Sequence, residues 1–453
     1  MFPLAKVFWG MILLTLMVVF PSWLLDKPSV WHPALVGVLA AFAISLRFSK
    51  NFRGYQFTAW VLVVVALAMI YPQNILHVGG FDMKNKWVML VAIQLVMFGM
   101  GVHMTLKDFA GVAKSPRGVF VGILCHFTVM PLVGLVLTKA FHFEPEIAAG
   151  IILIGSCSSG LASNVMAYIA KSNLALSVTV TAVTTMIAPI MTPLWMKWLA
   201  GTMVEVKFFN LMVEIIKIVL VPIGAGLIHD YLKTSGIKVF RAESTEPIND
   251  SPPPRSTPPV EEKVTGSVGQ KIVLAVAAGA ALWLAFLAGG GWVVLQNNYG
   301  AGALTAFSLG GFLLSAFVIG VVYHWLWKQF PTLDRWMPTL SIAGILYVTA
   351  MTIAAGNENL RKVGALLLLA CALHNTAGFF LGYILSRAAG LDKNSARSVA
   401  FEVGLQNGGM ASGLAAAMGK LATVGLAAAC FIPWMNISGS VLANYWSKRP
   451  VKE

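Results

Sequence analysis

Residues 154–171 read IGSCSSGLASNVMAYIAK, and residues 403–420 read VGLQNGGMASGLAAAMGK. The two segments align without a gap, with Gly155/Gly404, Gly160/Gly409, Ala162/Ala411, Ser163/Ser412, Ala167/Ala416 and Lys171/Lys420 identical. Shared small residues alone could supply some of these matches. The preceding apolar spans argue for a true repeat: His126 meets His374, Thr128 meets Thr376 and Gly134 meets Gly382. Histidines at matched positions inside apolar spans are rare enough to carry weight. Within each copy a polar, glycine-rich stretch, GSCSSG at 155–160 and GLQNGG at 404–409, interrupts an apolar run. Such stretches do not continue as ordinary helix. Irregular backbone at membrane depth is tolerated only where protein or a cavity surrounds it.

The rest of the chain places those breaks in lipid. Of 453 residues, 58% are hydrophobic and 11% charged, against about 25% charged in soluble domains. That excludes a cytosolic enzyme and a secreted disulfide scaffold. Cys125, Cys157, Cys371 and Cys430 all lie in apolar stretches and say nothing of the redox compartment. A spanning helix takes about 20 apolar residues. Fourteen candidates follow: 5–25, 31–47, 55–74, 87–106, 118–141, 145–170, 173–199, 208–232, 271–294, 303–327, 337–355, 362–387, 394–419 and 421–446. The first span resembles a signal peptide but lacks a small-residue cleavage site.

With fourteen crossings both termini share a side. That side carries 22 of the 32 Lys and Arg residues and the other side 9, with Lys217 inside a span. The bias puts both termini in the cytoplasm. It also explains the net charge of +14 without nucleic acid. Residues 241–263 hold six of the 21 prolines and no aromatic residue, and are expected to form a disordered cytoplasmic linker.

The two broken spans are the sixth and the thirteenth, so the copies run in opposite directions. Inverted repeats with an interrupted helix in each half are a pattern of secondary transporters. Of the 18 acidic residues Glu146 and Asp230 lie at span ends, and only Glu214 and Glu402 fall further inside spans. Glu214 has Lys217 three positions on, a pair that can neutralise itself. Glu402 lies about 12 Å into its span at 1.5 Å per residue, where a lone carboxylate costs ~2.5–3.5 kcal/mol or more. Protonation or a bound cation must offset it. Carbonyls and an amide from Val403 to Gln406 stand beside it. Ser163 and Asn164 follow the other break, and Ser177, Thr179 and Thr181 line the next span. Such oxygens suit a hard cation, with Na⁺ the monovalent candidate. Neither GxxxxGK[ST] nor a strand-borne GxGxxG is present, so ATP-driven transport and redox chemistry have no support.

At these residues the sequence resembles the bile acid:sodium symporter family. The motifs are MFGMGVHMTLKDF (97–109), GLASNVMAYIAKSNLALSVTVTAVTT (160–185), FEVGLQNGGMASG (401–413) and MNISGSVLANYW (435–446), and the resemblance covers about residues 55–232 and 336–446. It implies an all-α polytopic membrane protein. Ten helices form an inverted five-helix repeat with two crossing discontinuous helices, divided into panel (55–74, 87–106, 208–232, 337–355) and core, with about four additional transmembrane helices.

The chain then divides into an extra helix pair (1–54), the first repeat (55–206) and the first helix of the second (207–232). A proline-rich linker (233–270), an inserted helix pair (271–335), the remaining second repeat (336–447) and a cytoplasmic tail (448–453) follow. The resemblance implies sodium ligands at Ser163, Asn164, Ser177, Thr181 and Glu402. It implies a second sodium at Glu402, Val403, Leu405 and Gln406, with Val403 and Leu405 giving carbonyls. Substrate contacts fall at Asn407 and Asn436.

Three departures from the family stand out. His126 replaces a usual glutamine that helps hold the second sodium, and is expected to weaken that site or add pH sensitivity. Ser158-Ser159-Gly160-Leu161 replaces Pro-Gly-Gly-Thr, and Met435 replaces a common histidine.

The expectation is a sodium-coupled symporter of an organic anion (bile-acid-like, pantoate-like or keto-acid-like) in a bacterial inner membrane. No cofactor, nucleic-acid partner or enzymatic activity is expected, membrane lipid surrounds the chain, and the oligomeric state stays open. An arsenite-type efflux carrier using Cys157, or a proton-coupled carrier using Glu402 and His126, are the alternatives.

Overall fold

Hydrocarbon offers backbone groups no hydrogen-bonding partner, so a chain crossing it must satisfy them within its own helices. The computed structural model describes residues 2–48, 55–109, 111–235, 237–239, 261–263 and 268–451, and these are overwhelmingly helical. Two short antiparallel pairs are the strands among them, His77–Val78 with Phe81–Asp82 and Ile237–Val239 with Glu261–Lys263. The protein is an all-α polytopic membrane protein.

Among the described residues nine helices are long and apolar enough to cross a membrane, and a bent pair, Lys86–Val102 with Leu106–Lys114, makes a tenth. The other four expected spans take different forms. Phe2–Leu24 is a helix of 23 residues, Gln56–Ile70 is a shorter one of 15, and two are discontinuous. Most of the expected disordered linker, residues 240–260 and 264–267, lies outside the described residues; its end, Glu261–Lys263, is paired with Ile237–Val239.

The chain divides into two compact units: Met1–Met100, Lys107–Leu220 and Met337–Glu453 form one, and Gly101–Leu106 with Val221–Trp336 the other. In the smaller unit Val221–Thr234 packs on Ala301–Gln329. Asp334 there accepts from Lys233 Nζ at 2.7 Å and from Tyr323 OH at 3.1 Å, with His229 Nε2 3.4 Å away.

The larger unit holds both discontinuous helices. The first is Pro145–Ser156 followed by Ala162–Ile169, and the second is Lys393–Gly404 followed by Gly408–Ala417. Residues Ile147–Ser156 and Ser395–Gly404 are all buried. Their shield comes from Pro116–Phe141, Leu174–Trp195, Asn357–Ala388 and Val424–Ser447.

The two broken helices clasp each other at both ends. Glu146, at the start of the first, forms an ion pair with Lys420 beyond the end of the second and accepts from Thr423 Oγ1 at 2.6 Å. At the opposite end Asn173 Nδ2 donates to Ser395 Oγ at 3.1 Å, and Ser398 Oγ donates to the Asn173 carbonyl at 2.8 Å. Each helix therefore begins where the other finishes, and the pair runs antiparallel. Between the clasps the breaks themselves bridge antiparallel at Ser159 and Gln406.

Close backbone approach makes this packing possible. A Cβ on Gly150 would lie 2.3 Å from the Val424 carbonyl oxygen, so the first broken helix touches the last helix backbone to backbone. Gly150→Ala forces the two apart and is expected to cost about 1–3 kcal/mol, read as a lowered melting temperature of the purified protein. Gly279→Ala, where a Cβ meets nothing within 4 Å, is the tolerated control.

Candidate ion and substrate site

Each break frees carbonyls and amides that a continuous helix would have paired. Here the breaks pair with each other. Gly160 N donates to the Leu405 carbonyl at 3.1 Å, and Asn407 N donates to the Ser158 carbonyl at 2.8 Å. A Cβ on Gly160 would stand 2.8 Å from the Gln406 carbonyl oxygen, which leaves this position to glycine.

Beside this pairing Glu402 is completely buried. Ser177 Oγ donates to its Oε1 at 2.5 Å and Thr181 Oγ1 to its Oε2 at 2.8 Å. Asn164 Oδ1 lies 2.9 Å from the Ser177 hydroxyl and 3.2 Å from that of Thr181. Ser163 Oγ is 3.3 Å from Thr181 Oγ1 and donates to the Gly160 carbonyl at 2.8 Å. Of the five residues first singled out around Glu402 in the sequence, Ser163, Asn164, Ser177 and Thr181 thus come together with it, from three chain segments, whereas Thr179 Oγ1 turns away to the Asp108 and Ala175 carbonyls, each at 2.9 Å. Ser159 joins them, its hydroxyl 3.3 Å from both Ser163 Oγ and the Leu405 carbonyl. Sequence reasoning passed over Ser159, whose only signal was a hydroxyl inside the break.

No Lys or Arg forms an ion pair with Glu402 among the described residues. Arg397, five positions earlier on the same helix, instead donates to the Arg449 carbonyl at 2.9 Å and stacks over Trp446. Glu214, in contrast, keeps its expected partner, with Lys217 Nζ at 3.2 Å.

The residues expected around a second ion are arranged differently. His126 is fully buried, with Nδ1 2.8 Å from the Glu402 carbonyl oxygen and Nε2 2.8 Å from that of Cys157. It therefore ties the end of one half-helix to the end of the other. An imidazolium donates to both carbonyls, whereas a neutral ring donates to one. Gln406 Nε2 donates to the Val403 carbonyl at 2.6 Å, and Gln406 Oε1 is buried without a donor. Asn375, which sequence reasoning also missed, donates to the Gly404 carbonyl at 2.8 Å while accepting from Ser438 Oγ at 2.5 Å. Its signal was an amide placed next to His374 in an apolar span.

The two substrate candidates sit apart in role. Asn407 caps Gly408–Ala417 by accepting from Met410 N at 3.0 Å, and its Nδ2 faces Ser158 Oγ at 3.5 Å. Asn436 donates to the Ile432 carbonyl of its own helix at 2.8 Å and stays partly exposed. A mostly apolar cavity lined by Ile93, Val96, Val348, Thr349, Ser412 and Ile432 lies in this unit, about the size of one water. Cys157 is buried, and no group of three His, Cys, Asp or Glu able to hold a metal occurs among the described residues.

Comparison with known proteins points the same way. The model of the sodium bile acid symporter family matches residues 90–242, which include the first break. The uncharacterized sodium-dependent transporter YocS of Bacillus subtilis is 28% identical over 90% of this chain and 96% of its own. The probable sodium/metabolite cotransporter BASS1 of Arabidopsis thaliana chloroplasts is 26% identical over 88% of this chain and 74% of its own. The human ileal sodium/bile acid cotransporter is 35% identical, over 31% of this chain and 41% of its own.

Asn375→Ala strands the Gly404 carbonyl in a dry interior and is expected to destabilise the protein by about 1–3 kcal/mol. Thermal unfolding of the purified chain measures it, with Asn375→Gln expected to recover part of the loss.

Proposed function

We propose that the chain, similar over residues 90–242 to the sodium bile acid symporter family, is an integral membrane, sodium-dependent transporter that carries an organic anion inward with Na⁺ by alternating access. One observation carries this reading. Glu402, on the second broken helix, is a buried carboxylate that accepts from Ser177 and Thr181, with the Asn164 amide oxygen of the first broken helix against the same two hydroxyls and no Lys or Arg paired with it among the described residues. Hard oxygens around one negative charge suit Na⁺. Ser163, Asn164, Ser177, Thr181 and Glu402 would hold it, and Na⁺ there would remove the cost of an isolated charge at that depth.

Coupling follows from the same placement. The half-helices Ala162–Ile169 and Gly408–Ala417 both begin at the breaks. Helix N-termini receive anions, so a carboxylate or sulfonate near Asn407 and Asn436 needs no cationic side chain. A cation at Glu402 makes the approach of that anion more favourable, and the anion does the same for the cation, by linkage. The two breaks belong to an inverted ten-helix repeat that rocks as panel and core. The membrane in this reading is a bacterial inner membrane, and the bias of Lys and Arg supports both termini facing the cytoplasm.

The test is uptake into membrane vesicles of labelled bile-acid-like, pantoate-like and keto-acid-like anions, with and without an inward Na⁺ gradient. Glu402→Gln is expected to reduce uptake to the sodium-free background. Unchanged sodium stimulation in that variant overturns the assignment. Uptake driven by a pH gradient in sodium-free buffer replaces Na⁺ by H⁺, and thiol-sensitive export without sodium replaces symport by efflux.

A further inference from the structure

The breaks pose a counting question: where does each freed carbonyl go? A carbonyl oxygen keeps a second lone pair after accepting one hydrogen bond, so a cation bound by main chain needs several carbonyls converging on one space that no protein group fills. At the end of the first half-helix, Thr192 Oγ1 donates to the Ser156 carbonyl at 2.7 Å, and the Cys157 oxygen faces the His126 ring. Asn407 N takes the Ser158 oxygen. In the second break the carbonyls of Glu402, Val403, Gly404 and Leu405 face His126, Gln406, Asn375 and Gly160 in turn. Gly408 N takes the Gln406 oxygen at 3.0 Å.

From this we infer that the breaks bind one cation per chain, at Glu402, and that their backbone carbonyls form no second cation site. The inference rests on the sodium reading above. His126 decides it. Its ring fills the gap between the Glu402 and Cys157 carbonyls, with a nitrogen 2.8 Å from each. An ion using both oxygens would have to stand where the imidazole stands. This holds whichever ring nitrogen carries the proton.

Within the breaks, the side-chain oxygen Gln406 Oε1 is buried without a donor among the described residues. It does not make a second site, because an ion leaving water needs several oxygens to replace its hydration. The side-chain oxygens that do converge all surround one carboxylate.

The stoichiometry has an electrical consequence. One Na⁺ carried with a monovalent anion moves no net charge, so transport would not draw on the membrane potential. A divalent anion carried with one Na⁺ would be opposed by an inside-negative potential.

Equilibrium binding of radiolabelled Na⁺ to the purified full-length chain in lipid nanodiscs, with choline replacing sodium, tests the count. The expected result is one Na⁺ per chain with a Hill coefficient of one, abolished in Glu402→Gln. Two ions per chain, or a Hill coefficient near two, overturns the inference and leaves the sodium reading intact. Absence of saturable binding to folded protein overturns the sodium reading itself, and this inference with it. Thr181→Val removes one hydroxyl without touching the charge and guards against misfolding of Glu402→Gln. It is expected to weaken binding about tenfold, with the count still one. A sodium-dependent rise in melting temperature that follows a one-site isotherm is the second readout.

Discussion

A helix broken inside a dry interior exposes backbone donors and acceptors that water cannot reach, and each one left alone costs kilocalories. This protein breaks two helices and lets each repair the other. The amide of Gly160 serves Leu405, and the amide of Asn407 serves Ser158. Neither break is satisfied alone, so their positions are fixed jointly. The clasps of Glu146 with Lys420 and of Asn173 with Ser395 and Ser398 hold the ends in register for that exchange. The glycines follow from the same constraint, since the breaks must approach within main-chain contact.

Once the breaks meet, the electrostatics of the place are set. Two half-helices end there, Pro145–Ser156 and Lys393–Gly404, and two begin there, Ala162–Ile169 and Gly408–Ala417. Ends carry partial negative charge and beginnings partial positive charge. A location with both can receive a cation and an anion side by side. Side chains then bias each end: Glu402, the hydroxyls and His126 crowd the end of Lys393–Gly404, while Asn407 caps the beginning of Gly408–Ala417. Backbone ends of this kind can serve where a soluble protein would use Arg or Lys.

Much of this was legible in the sequence, for identifiable reasons. Broken apolar runs with matched glycines can be read because lipid permits few alternatives to helix, so a departure from helix stands out. Glu402 can be read because charges are scarce in spans. Ser163, Asn164, Ser177 and Thr181 were placed around it by resemblance, and the fold gathers them. Ser159 and Asn375 escaped because a hydroxyl or an amide in a helix usually bonds its own backbone. Ser386 does so, donating to the Gly382 carbonyl at 2.7 Å. Only the tertiary arrangement distinguishes these cases. His126 was legible as an anomaly but not as a bridge, because its two partners lie 31 and 276 positions away.

The acidic residues themselves separate structure from function. Glu214 keeps Lys217, Asp334 keeps Lys233, and Glu146 keeps Lys420. Each of those carboxylates arrives with its own cation, and each is less buried than Glu402, which has none among the described residues. Hydroxyl donors stabilise a carboxylate without neutralising it. They also leave lone pairs on the same oxygens, so the groups that hold Glu402 in place are themselves able to face an ion. A lysine beside it would have neutralised the carboxylate, though both charges would still have lost their water. It would also have made the charge permanent company. In the sodium reading proposed above, filling the same role with hydroxyls leaves the neutralising charge to be supplied from solution, and an ion supplied from solution is one that can also leave.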